Sequence, residues 1–113
     1  MNPAATFSTV RTEIAGINVL DLASTFETPT YVYDASKILK RIEELRQFDV
    51  IRYAQKACSN LAILDLVRRH GVVVDAVSSG EIYRAQAAGF PATGTPPPIV
   101  FCADLFDRKA LEQ

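Results

Sequence analysis

The sequence predicts an α/β fold built on a parallel sheet, and three observations carry that prediction. Short runs rich in β-branched and aromatic residues, at 30–33, 50–54, 72–77 and 99–103, alternate with stretches whose apolar residues recur at helical spacing. Most connections are only a few residues long, as expected for strands joined by right-handed helical crossovers. The run Val-Val-Val-Asp-Ala-Val at 72–77 is almost uninterrupted in β-branched residues, the pattern of a parallel strand buried on both faces. An open doubly wound sheet and a (β/α)8 barrel both satisfy this order. Eight units need roughly twice this length or more, and the last predicted helix is still running at Gln113. The expectation is therefore the amino-terminal part of a TIM-type (β/α)8 barrel, incomplete in this chain.

Taken in order, residues 1–8 read as a lead-in. Val19, Leu22, Ala23 and Phe26 have helical spacing and predict a short helix within 17–26, stopped by Thr28-Pro29. Residues 1–29 form one segment on this reading, and 30–113 hold the first β/α units. Thr30 to Tyr33 reads as a strand, and Asp34 caps a helix with Ile38, Ile42 and Leu45 on its apolar stripe. A strand at 50–54 runs on to Lys56. Ser59 or Asn60 caps the next helix, which packs through Leu61, Leu64 and Val67 and ends at Gly71. After the 72–77 strand, Ser-Ser-Gly-Glu at 78–81 opens a helix that reaches Ala88 and ends at Gly89. A proline-rich loop at 90–98 leads to a strand at 99–103, and Asp104 or Asp107 starts a last helix.

The 113 residues suffice for one small domain, and the composition is that of an ordinary globular protein, with 49% apolar and 22% charged residues. Twelve basic against 13 acidic residues give a net charge of -1, which excludes the basic footprint of a nucleic-acid-binding protein. No apolar run approaches the ~20 residues that span a bilayer. The first residues carry neither a basic region nor an apolar run, so no secretory leader is expected. Cys58 and Cys102 lie far apart and form no CxxC motif; reduced thiols in a cytoplasmic chain are the expectation. His70 has no Cys or second His near it, hence no zinc pattern, and sits at a helix end where the dipole favours it.

The chemistry-bearing stretch is the strand that ends on Lys56. Side chains alternate along a strand, so Arg52, Ala54 and Lys56 are expected on one face. Lys56 falls at the carboxyl end, where α/β barrels and open α/β sheets place their sites. Desolvation there frees the amine's lone pair for attack on a carbonyl. The plainer alternative is a strand-end lysine reaching water. Ala54, two residues earlier, is small enough to leave room for a flat ligand. Asp75 interrupts a valine strand, where a carboxylate needs a partner; Lys56 on the next strand qualifies, as does backbone at the strand end. Glu81 falls in the first turn of its helix, either as a capping-box carboxylate or as a functional one. Ser78, Ser79 and Gly80 form a weak phosphate-binding signal at that helix start. Cys58 lacks the neighbouring histidine that a nucleophilic role needs.

Four spaced motifs then point to a family. Thr-Pro-Thr-Tyr-Val-Tyr-Asp at 28–34, Arg-Tyr-Ala-Gln-Lys-Ala-Cys-Ser-Asn at 52–60, Val-Asp-Ala-Val-Ser-Ser-Gly-Glu-Ile at 74–82 and Ala-Ala-Gly-Phe at 87–90 occur in this order. Together they resemble the amino-terminal region of the diaminopimelate decarboxylases. These belong to the alanine-racemase-like, fold type III enzymes that use pyridoxal 5'-phosphate (PLP), with ornithine and arginine decarboxylases as relatives. The stretch 47–60 is most similar to the enterobacterial type. The resemblance covers about residues 17–113 and implies a PLP-binding barrel with Lys56 as the Schiff-base lysine. It also implies that Asp75 and Glu81 lie near the lysine and cofactor, beside the room that small Ala54 leaves, and that meso-diaminopimelate is decarboxylated at its D-centre to L-lysine. A small amino-acid substrate, a homodimer and a cytoplasmic place in lysine biosynthesis are implied with it.

In such enzymes the glycine-rich phosphate loop, the carboxylate facing the pyridine nitrogen, the substrate arginine and a β-domain all lie further along. The chain alone is therefore expected to be inactive. Two readings stay within the superfamily: an ornithine/arginine-type decarboxylase and a non-catalytic PLP-binding barrel protein. A third is an unrelated open α/β module in which Lys56 is a surface group.

Overall fold

The computed structural model describes residues 10–103 together with Arg108 and Glu112. The last predicted helix, from Asp104 or Asp107, and the lead-in at 1–8 fall outside the described residues. The chain divides into two compact units, Met1–Ser36 and Lys37–Gln113.

In the first unit, β1 (Glu13–Ile14) and β2 (Ile17–Asn18) form a small antiparallel hairpin. Its two-residue turn, Ala15-Gly16, has positive φ at both positions, the geometry that matches strand twist in tight hairpins. Asn18 then caps α1 (Val19–Phe26): its Oδ1 accepts from the Leu20 N–H at 2.8 Å. Residues 30–33, expected as a strand, form none: Tyr31, Val32 and Tyr33 are exposed and lie outside any ladder. β-propensity alone does not make a strand where no partner ladder is present. Asp34 does start a helix, as its Oδ1 accepts from the Ser36 N–H at 2.9 Å.

That helix, α2 (Ala35–Glu44), buries Ile42 and packs Ile38 and Leu39 against the core of the second unit. It stops before Leu45, which was expected on the stripe and is 42% exposed. The last turn tightens, the Leu45 N–H bonding to the Ile42 carbonyl, and this carries Leu45 off the packing face.

The sheet of the second unit contains β3 (Arg52–Ala54), β4 (Val73–Ala76) and β5 (Ile99–Phe101), all parallel, in the order β3-β4-β5. Arg52, Tyr53 and Ala54 face Val73, Val74 and Asp75; Val74, Asp75 and Ala76 face Ile99, Val100 and Phe101. Burial alternates along β4. Val74 and Ala76 are fully buried beneath the helices, whereas Val73 and Asp75 on the other face are half-buried. The fold class is thus the expected α/β parallel sheet, with three of the predicted strands formed.

Between β3 and β4 runs α3 (Leu61–Arg69), capped by Asn60 rather than Ser59: Asn60 Oδ1 accepts from the Ala62 N–H at 2.9 Å. Its buried stripe is Ile63, Leu64 and Val67, while Leu61 remains 44% exposed. Helix α4 (Ser79–Ala87) follows β4 and buries Ile82 and Ala85. Ala85 joins Ile42, Ile63, Leu64, Val67, Val72, Val74, Ala88 and Phe90 in one core between the sheet and its helices. Among the described residues no helix is long and apolar enough to cross a membrane.

Both α3 and α4 end in a Schellman motif. The Gly71 N–H bonds to Arg68 O and the Val72 N–H to Val67 O; Gly89 and Phe90 repeat the pattern on Gln86 and Ala85. Each glycine has positive φ, 75° at Gly71 and 88° at Gly89. At Gly89 space is short as well. A Cβ there would meet Arg68 Nε at 3.2 Å, and that guanidinium is fixed by bonds to Ala88 O and Asp65 Oδ1. Gly89→Ala is expected to destabilise the fold by about 1–2 kcal/mol, from the left-handed backbone alone. The urea midpoint of the full-length protein would fall accordingly, and an unchanged midpoint would contradict this account.

Candidate active site

Strand β3 ends at Ala54, two residues earlier than expected. Gln55, Lys56 and Ala57 form a single 3-10 turn, so the alternation that would place Lys56 on the Ala54 face stops before it. Two side-chain bonds explain the break. The Tyr53 hydroxyl donates to the Cys58 carbonyl at 2.8 Å, closing the chain across the turn. Gln55 is 0% exposed, and its Nε2 donates to the Glu81 carbonyl in α4 at 2.7 Å. Lys56 is left exposed at the apex, at the carboxyl end of β3.

Burial, together with the nearby Cys58, raises the Tyr53 pKa above its ordinary value of 10.0, outweighing the opposing effect of the hydrogen bond to the Cys58 backbone. The hydroxyl therefore remains a donor throughout the neutral range. With the folded pKa above the unfolded one, whatever stability this group adds is present below pH 10 and is lost as pH rises through the folded value.

On the half-open face of the sheet, Ala54 and Asp75 are register partners, and Val100 faces Asp75 from β5. Asp75 Oδ1 is buried and has no hydrogen-bond partner. The expected ion pair with Lys56 is not formed, and neither is a backbone bond to this oxygen. The Asp75 carboxylate instead takes a hydrogen bond from the Cys102 thiol. That bond raises the thiol's pKa, as do partial desolvation and the carboxylate's charge, while Arg52 acts in the opposite sense. An alkylation-prone thiolate at Cys102 is not the result, and neither Cys58 nor Cys102 forms a disulfide.

Glu81 takes up its capping role. Its Oε2 accepts from the Val77 N–H at 2.7 Å, while its own N–H donates to Ser78 Oγ at 3.3 Å. This is a capping box displaced by one residue, with Ser78 as the N-cap of α4. The Ser78, Ser79 and Gly80 segment is accordingly engaged in starting the helix. His70 is structural as expected: it is the C-cap of α3, and its Nδ1 lies 2.8 Å from Leu66 O. Among the described residues no group of three or more His, Cys, Asp and Glu side chains could hold a metal ion.

Two residues escaped the sequence reading. Arg52 reaches the Val74 carbonyl at 2.9 Å and the Pro97 carbonyl at 3.2 Å, fastening the entry to β5 onto the sheet. Gln55 joins the lysine turn to α4. A signal for Gln55 existed: a polar residue at the helix-facing position of a buried strand is anomalous, because that position otherwise takes apolar side chains.

A parallel β/α array with a lysine at the carboxyl end of one strand is the arrangement in which α/β barrels and open α/β sheets place their sites. Residues 34–113 match the model of the pyridoxal-dependent decarboxylases, in their pyridoxal binding domain, and the chain belongs to that family. It is 50% identical over 111 residues to the diaminopimelate decarboxylase of Escherichia coli K12, covering 98% of this chain and 26% of that protein. The Streptomyces coelicolor diaminopimelate decarboxylase is also 50% identical, over 99% of this chain and 26% of its own length. A solved diaminopimelate decarboxylase superposes with a TM-score of 0.81 at 50% identity, covering 94% of this chain and 25% of that one. The enzyme from M. jannaschii in complex with L-lysine gives 0.71 at 33% identity, over 88% of this chain and 24% of that one. The chain spans about a quarter of the length of these relatives.

Proposed function

We propose that this chain is the cofactor-anchoring part of a diaminopimelate decarboxylase, which converts meso-2,6-diaminopimelate to L-lysine and CO2. The observation that carries the reading is the exposed Lys56 on a hydrogen-bonded 3-10 turn at the carboxyl end of β3, next to a strand whose Asp75 holds a buried, unpartnered oxygen. An orphaned acceptor of this kind calls for a donor from outside the chain, and small Ala54 beside it leaves space on the same face. These residues fit a PLP site. Lys56 Nζ would hold the cofactor covalently, with Ala54, Asp75 and Glu81 around it.

When bound, the cofactor supplies the sink for the electron pair left behind as CO2 departs. The rest of the reaction falls to the protein. Lys56 Nζ would hold the cofactor and, as a titratable amine, would carry a proton to the carbon that loses its carboxylate. Asp75, on the half-buried face of the sheet, would offer its unpartnered Oδ1 as an acceptor to a donor on the bound group. Glu81, through its bond to Val77, keeps the β4–α4 loop in one conformation. The complete protein is a cytoplasmic homodimer on this reading, and the absence of a disulfide between Cys58 and Cys102 suits a reducing compartment.

Borohydride reduction of the full-length protein loaded with PLP, followed by peptide mapping, tests the anchor; a single reduced adduct at Lys56 is expected. Parallel assays of CO2 release from meso-diaminopimelate, ornithine and arginine test the substrate. Release from meso-diaminopimelate alone supports the proposal. Release from ornithine or arginine would move the chain to the sister activity, and an adduct elsewhere would remove Lys56 from the chemistry.

A further inference from the structure

Gln55 is the one fully buried polar side chain in the core among the described residues, and its amide is half satisfied. Nε2 donates to the Glu81 carbonyl at 2.7 Å, while Oε1 is buried with no partner. An unpartnered buried acceptor is costly, and an apolar side chain of similar volume would avoid that cost. A polar side chain at such a position therefore needs a reason other than packing. Its placement offers one. Gln55 is the residue before Lys56, inside the same 3-10 turn, and its side-chain amide bonds to the first turn of α4. The Glu81 side chain in turn binds the Val77 N–H, two residues after Asp75. A continuous chain of bonds thus runs from the lysine turn, through α4, to the end of β4.

We propose that Gln55 is a positioning residue for Lys56: its bond to the Glu81 carbonyl fixes the lysine turn relative to the α4 start and the carboxyl end of β4. The inference rests on the proposed role of Lys56 as cofactor anchor and deepens it. Gln55 touches no reacting atom; it acts by restricting where the Lys56 amine can stand. The cost of the orphaned Oε1 is tolerated because an apolar residue, though better packed, would release the turn.

The test uses two variants of the full-length protein. Gln55→Met keeps length and volume and removes both polar atoms. Gln55→Glu keeps the shape but turns the donor towards the Glu81 carbonyl into an acceptor. In the apoprotein, hydrogen exchange at backbone amides 55–58 is expected to be about tenfold faster in both variants, with the amides of α3 unchanged. In the loaded protein, kcat is expected to fall by about tenfold with KM little changed, and the pH midpoint of the bound cofactor's absorbance to move. Exchange at 55–58, kcat and pH midpoint all matching the parent would overturn the proposal. So would failure of both variants to fold, since Gln55 would then be a determinant of the fold rather than of the lysine's position. Borohydride labelling of the parent separates the two levels. If the parent is labelled at Lys56 and the variants behave like it, only the Gln55 proposal falls; if the parent is not labelled there, the anchor reading falls and takes this proposal with it.

Discussion

Lys56→Ala in the full-length protein is expected to lose at least about a thousandfold in kcat, with the fold intact. The lysine is exposed at the apex of its turn, and the bonds that close the turn come from Tyr53 and Gln55, so removing the amine leaves them in place. A nucleophilic amine that also carries a proton combines two contributions, and proton transfer alone accounts for about a hundred- to ten-thousandfold. Lys56→Arg should not restore activity, because a guanidinium stays protonated and cannot attack a carbonyl. Decarboxylation at the parent rate by either variant, with unchanged circular dichroism, would dispose of the role given to Lys56.

The second large effect is on stability. Leu64 is 0% exposed, at the centre of the stripe by which α3 packs on the sheet. Leu64→Ala is expected to cost about 2–5 kcal/mol, the transfer of the lost methyl groups plus the cavity they leave. In the full-length protein this should appear as a lower urea midpoint and a reduced soluble yield. Leu61→Ala, three residues earlier on the exposed side, should cost well under 1 kcal/mol. Equal losses for the two variants would mean that the assigned packing face of α3 is wrong.

The contrast between Leu61 and Leu64 also shows where the sequence is readable. Periodicity locates α3 but puts Leu61 on the packing row with Leu64 and Val67, whereas the structure buries Ile63 there and leaves Leu61 44% exposed. That choice depends on the direction from which the helix crosses, which is a tertiary property. The all-valine strand was legible because burial on one face and half-burial on the other both favour β-branched residues. The strand at 30–33 was over-read, since its composition says nothing about whether a partner is present. At the site, the position of Lys56 at a strand end was legible and its 3-10 turn was not. The turn is set by bonds from Tyr53 to Cys58 and from Gln55 to Glu81, the second spanning 26 residues. The carboxylates divide similarly. The capping role of Glu81 follows from local spacing with Ser78, whereas the thiol that meets Asp75 comes from Cys102 on the far side of a proline-rich loop.

The passage from α3 to β4 leaves no slack in the chain. The Val72 N–H still belongs to the helix, bonded to Val67, while the very next amide, that of Val73, already belongs to the sheet, bonded to Ile51. Insertion or loss of a single residue here would invert the phase of β4. Asp75 would turn towards the helices and a valine would take its place beside Ala54. The connection from α4 to β5 has no such constraint, with several exposed residues between Phe90 and Pro98. Length variation among functional homologues should therefore be tolerated at 91–97 and be excluded at 70–72. The Schellman ending of α3 serves as a counting device that keeps one carboxylate on the correct side of the sheet.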